Sequence, residues 1–155
     1  MKLVVQELTI HVPAQVLYEL LTDPALFVRW MTDDATLDPR PGGVVRWTRA
    51  NGDTCSGEFV ELAPARRVVF TYGWEGADVE IPPASSTVEI DLTATTETTT
   101  LLRLVHRGLD DLAAGAHHGG WTHYVDRLRR RAEGTTVGPD PFATQRVPTP
   151  AELRR

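Results

Sequence analysis

His106 ends an alternating run in which Leu102, Leu104 and His106 share one parity, so its imidazole is predicted on the inner face of a strand. There it could exchange a proton with a buried carbonyl or phenol, with Tyr72 or Tyr124 assisting as hydrogen-bond donors. A general base needs a second polar group converging on the same proton, and the sequence places none beside it. The favoured reading is a histidine that anchors the strand-to-helix turn through a backbone hydrogen bond. His106 and Tyr72 remain catalytic candidates of second rank.

A larger set of residues suits binding. Trp30, Trp47, Phe70, Tyr72, Trp74, Trp121 and Tyr124, together with His106, are the candidate ligand-binding residues. Large aromatic faces suit hydrophobic rings and chains, and their polar tips orient what they hold. Simple core packing competes for the same residues, so about half of them are expected to touch a cavity, with Trp121 and Phe70 foremost.

Other reactive types carry less. His117 and His118 are adjacent, so on a helix they point about 100° apart, and no metal site is expected from them with His106 and His123. Cys55 has no flanking motif and is read as packing. Asp33, Asp34 and Asp38 are placed in a loop, and Glu89 with Asp91 on the outward parity of a strand, so these acids are read as solvated charge. Arg127, Arg129, Arg130 and Arg131 cluster where a helix ends, which favours cations. There is no Gly-rich phosphate loop, serine nucleophile elbow or zinc motif, and no cofactor is expected.

These residues must be positioned by regular elements. Val4, Leu8, Ile10 and Val12 alternate with polar residues as in a half-buried strand, and Gln6 shares their inner parity and needs a partner. Pro13 suits a first helical position, followed by the stripe Val16, Leu17, Leu20 and Leu21. Asp23 is a predicted N-cap for a short helix presenting Phe27, Trp30 and Met31. A meander follows. Val45 and Trp47 lead to an Asn51-Gly52 hairpin, and the strand from about Thr54 to Leu62 needs a bulge to reconcile Phe59 with Val60. Val68, Phe70, Tyr72 and Trp74 alternate cleanly, and Val88, Ile90, Leu92 and Ala94 continue the pattern.

The last element is a helix from Ala113 to about Ala132, with Ala114, His117 or His118, Trp121, Val125, Leu128 and Ala132 on one stripe. Gly119 and Gly120 inside it each cost about 1 kcal/mol relative to Ala, which predicts close backbone approach, a bend or a portal there. Gly134 is a good residue to end it. The order gives an α+β fold: a curved antiparallel sheet with two short helices and a long C-terminal helix. One domain is expected over 1–134. Residues 135–155, with four prolines, form a mostly unstructured tail in which Phe142 and Val147 can dock.

With 155 residues, 41% of them hydrophobic, the chain has room for one domain. The net charge of −5 argues against nucleic acid, and no apolar run reaches membrane-spanning length. A single cysteine and no secretory h-region give a cytoplasmic expectation.

Val16 to Leu21, Asp23-Pro24, Trp30, Pro41-Gly42-Gly43, Gly57 to Leu62, Phe70 to Trp74, Thr99 to His106, and Gly120-Trp121 with Leu128 form a set of motifs. Together they resemble the activator-of-heat-shock-protein-90-ATPase-like family, within the START and polyketide-cyclase (SRPBCC, helix-grip) superfamily. The similarity spans about residues 3–133. It implies a curved sheet around the C-terminal helix with an apolar cavity between them. Superfamily relatives bind lipids or other hydrophobic compounds, cyclise polyketides, or assist the chaperone; the eukaryotic co-chaperone is similar only in its second half.

The expected function is binding of a small hydrophobic molecule in that cavity, without covalent chemistry. A polyketide cyclase or aromatase-like enzyme and a stress-linked, chaperone-interacting protein are the alternatives. A protein partner or a homodimer stays open.

Overall fold

A computed structural model describes residues 3–76, 81–135, 137 and 140. The chain runs β1 (Val4–Ile10), α1 (Ala14–Thr22), α2 (Pro24–Phe27), β2 (Asp34–Leu37), β3 (Val44–Thr48), β4 (Thr54–Ala63), β5 (Arg67–Tyr72), β6 (Ser86–Thr96), β7 (Thr99–Arg107) and α3 (Asp111–Ala132). The strands form one antiparallel sheet in the order β1-β7-β6-β5-β4-β3-β2. This is the α+β helix-grip arrangement, with the sheet curved around its helices.

Parity placed the core well. Val45, Trp47, Val68, Phe70, Val88, Ile90, Leu92, Leu102 and Leu104 are buried, packed with Leu17, Leu20 and Leu21 of α1 and with Trp121, Val125 and Leu128 of α3. The bulge in β4 falls where it was needed: pairing shifts between Phe59 and Glu61, so Phe59 is buried while Val60 is 51% exposed. Gln6 finds its partner on α3, donating from Nε2 to Thr122 Oγ1 at 2.9 Å. Asp23 caps α2 by accepting from the Ala25 amide, and Asp110 caps α3 from the Ala113 amide.

Four local expectations are corrected. Asp34 lies in an edge strand rather than a loop, because Leu37 is buried and Ala35 half-buried opposite β3; short length and acidic neighbours hid it. Pro13 is the N-cap of α1 rather than its first residue. Ala94 is exposed, where the β6–β7 hairpin outruns the helices. Close backbone approach does not explain Gly119 and Gly120, since a Cβ at either would meet nothing within 4 Å.

That open space makes a prediction. Gly119→Ala should raise stability by about 0.5–1 kcal/mol, by reducing the freedom of the unfolded chain and improving helix propensity. Thermal unfolding of the variant would show a lower midpoint if the backbone needed glycine there.

Glycine is required at Gly73. A Cβ there would collide with the Pro82 carbonyl. The Gly73 carbonyl accepts from the Ser56 amide at 2.9 Å, and the Trp74 amide donates to the Ile81 carbonyl at 2.7 Å, which carries Trp74 across to bridge Cys55. On the outer face Arg67 binds Glu61 at 2.7 Å and Asp91 at 2.8 Å, and Arg107 binds Glu89 at 3.0 Å. Glu89 and Asp91 are therefore ion-pair partners pointing away from the helices.

Candidate functional site

Tyr72 ends β5 on its inner parity, and rings from three other elements surround it. Its ring lies 4.5 Å from His106 of β7, 5.6 Å from His117 and 6.1 Å from Trp121 of α3, and 5.9 Å from Trp47 of β3, centroid to centroid. Trp74 adds an edge contact at 5.8 Å. Such offset and edge geometries match the ring quadrupoles.

Hydrogen bonds fix the histidines. The Trp121 indole, which can only donate, gives its N–H to His106 Nδ1 at 3.0 Å. His106 must then carry its proton on Nε2 and donate it to Ser86 Oγ at 2.8 Å, while the Ser86 hydroxyl donates to the Tyr72 carbonyl at 2.8 Å. The chain from helix to sheet is complete. Burial, with the neighbouring His117, lowers the His106 pKa to about 3. His106 thus anchors helix to sheet through side chains, rather than through the backbone bond expected from sequence.

His117 takes the opposite tautomer. Its Nδ1–H donates to the Ala113 carbonyl at 2.9 Å, leaving Nε2 to accept from the Trp74 indole at 3.4 Å. Burial lowers its pKa as well. Burial also pushes the Tyr72 phenol well above its ordinary pKa, and the Cys55 thiol likewise. At neutral pH these groups are uncharged, able to donate or accept hydrogen bonds but ill suited to taking a proton.

The other candidates spread outward. Trp47 and Phe70, 6.2 Å apart, form a deeper layer with Phe59. Trp30 lies at the far end of the ring chain, against Phe27, with its indole donating to the Leu20 carbonyl at 2.8 Å and its own carbonyl accepting from Arg127 Nε at 2.9 Å. Tyr124 stands one helical turn beyond Trp121 and donates to Asp140 at 2.6 Å; His123 bonds the same carboxylate at 2.7 Å. The expectation for the tail otherwise falls mostly outside the described residues, Phe142 and Val147 included.

Three residues of this region escaped the sequence reading. Ser86 and Asp140 bond partners many positions away, which no local pattern signals. Arg49, in the β3–β4 turn, turns its guanidinium over the Trp74 ring at 5.9 Å, and its Nε is shielded from solvent with no acceptor. A separate groove of about 370 Å³ runs between α1, α2 and the end of α3, lined by Val16, Leu20, Leu26 and Arg131 among others; none of the predicted ligand residues reaches it.

The family model described as "Activator of Hsp90 ATPase homolog 1-like protein" matches residues 11–133. The chain belongs to this family. The match begins after β1 and ends just beyond α3, so it takes in the whole Tyr72 cluster and leaves Asp140 outside. The AHSA1-like protein RHE_CH02687 from Rhizobium etli is 38% identical, over 95% of this chain and 91% of that one, with a TM-score of 0.69. Protein MLL2253 from Mesorhizobium loti shares the fold at a TM-score of 0.77 and 24% identity, covering 88% of this chain and all of that one. So does the Aha1 dimer from Colwellia psychrerythraea, at 0.74 and 20% over 88% of this chain and 100% of that one. No curated protein matches the sequence. Among the described residues of this AHSA1-like chain, no helix is long and apolar enough to cross a membrane.

Proposed function

We propose that this AHSA1-like protein binds a small hydrophobic molecule between the inner face of its sheet and α3, without covalent chemistry, in the cytosol. The observation that carries the reading is the convergence on Tyr72 of rings from β3, β7 and α3, with neutral polar tips at the same place. Apolar walls with a few placed donors and acceptors are what a small-molecule site requires. Binding is favoured over proton transfer because both ring nitrogens of His106 are already bonded and its pKa is held near 3. Tyr72, kept protonated, serves as a donor that orients a ligand.

The test uses N-phenyl-1-naphthylamine, an uncharged probe that fluoresces in apolar surroundings. Saturable binding is expected, weakened at least ~10-fold by Trp74→Ala through lost contact area and unchanged by Leu26→Ala in the distant groove. Circular dichroism confirms that each variant is folded. Loss of binding in Leu26→Ala with Trp74→Ala unaffected would move the site to the groove and overturn the reading. So would turnover of an aromatic polyketide-like substrate that His106→Ala abolishes while affinity persists.

A further inference from the structure

Among the described residues, Arg49 carries a buried side-chain donor, Nε, left without a hydrogen-bond partner. Its backbone closes the β3–β4 turn, with its amide donating to the Asp53 carbonyl at 2.8 Å and its own carbonyl accepting from the Gly52 amide at 2.9 Å. The side chain folds over the Trp74 ring, with its Nε shielded from solvent. Among the described residues it makes no hydrogen bond and no ion pair, although Nε is fully shielded. A guanidinium N–H withdrawn from water without an acceptor is costly, and native structures rarely keep one without use.

Its surroundings say what would satisfy it. Among the described residues, nearby acids have partners of their own: Glu75 takes Arg46 through both oxygens at 2.9 and 3.2 Å, Asp53 holds Asn51, and Asp140 holds Tyr124 and His123. The Arg49 charge is close enough to favour the ionised forms of both Tyr72 and Tyr124, so it faces the ring cluster. The Tyr72 phenol, kept protonated by burial, is a further donor of the same ring cluster. A planar cation, a phenolic O–H and stacked aromatic walls together match a carboxylate attached to an apolar or aromatic body.

We propose that Arg49 is the anion-binding residue of the site and that the ligand is an apolar or aromatic carboxylic acid, its carboxylate on Arg49 and its hydrophobic body against Tyr72 and Trp74. This rests on the binding site proposed above and names the class of molecule it takes.

A matched pair of probes tests it: 2-naphthoate and 2-naphthamide, nearly equal in shape and differing in charge. Isothermal titration at low salt should show the wild-type protein preferring the carboxylate at least ~10-fold. Arg49→Met should abolish that preference, so that carboxylate and amide bind alike, and Arg49→Lys should restore part of it. Preference for the carboxylate should also shrink with added salt. Equal affinity for the two probes in the wild type, or a preference that survives Arg49→Met, overturns the role of Arg49 and leaves the hydrophobic site standing. Failure of the uncharged probes to bind at all, with naphthoate still bound through Arg49, overturns the hydrophobic site instead.

Discussion

His106→Ala is expected to lower the free energy of unfolding at pH 7 by about 3–5 kcal/mol, measured by urea denaturation. The side chain is fully buried, so truncation leaves a void. It also strands the Trp121 indole N–H and removes the N–H that Ser86 Oγ accepts. Leaving buried donors unpaired is more damaging than removing both partners, so His106→Ala and Trp121→Phe should be strongly non-additive, with a coupling of about 0.5–3 kcal/mol.

The same residue makes the protein acid-sensitive. In the folded state the His106 pKa is about 3, against an ordinary 6.5. Between those values the unfolded chain binds a proton that the folded chain refuses. Stability is therefore intact above pH 6.5 and is lost as pH falls from 6.5 toward 3, by on the order of 4 kcal/mol over the window. His117, also lowered by burial, adds to the loss in the same direction. His106→Ala should flatten this part of the profile. An equally steep profile in the variant would place the acid sensitivity elsewhere.

Leu128→Ala should cost about 2–5 kcal/mol. Leu128 is 1% exposed on the inner face of α3, where sheet and helix close on each other. Leu112, on the same helix but 45% exposed, is the control: Leu112→Ala should change stability by no more than about 0.5 kcal/mol. Equal effects in the two variants would show that α3 does not pack as described.

Much of this was legible in the sequence because one face of every long strand is buried, and burial writes itself as alternation. Val68, Phe70 and Tyr72, or Leu102, Leu104 and His106, announce both strand and face. β2 was missed because a four-residue edge strand with one buried side chain has almost no period to read. The inward direction of His106 could be read, but its role could not. That role is set by Ser86 and Trp121, brought to it by sheet register and helix docking. Arg49 was hidden for a related reason: a cation in a hairpin turn reads as solvated, and only the neighbouring Trp74 shows which way it folds.

The first strand of the sheet lies beside the last. Val4 sits opposite His106 and Ile10 opposite Thr100, so β1 is paired along its whole length with residues roughly 100 positions later. A ribosome delivers β1 roughly 100 residues before the strand it pairs with. While the β3–β6 hairpins zip by local steps, the apolar side of β1 has no strand to join. Contacts of such long separation slow folding toward the millisecond-to-second range, and here they set the finish line as well. β1 brings Gln6 to its partner on α3, so the sheet's last pairing also helps dock the helix that closes the fold.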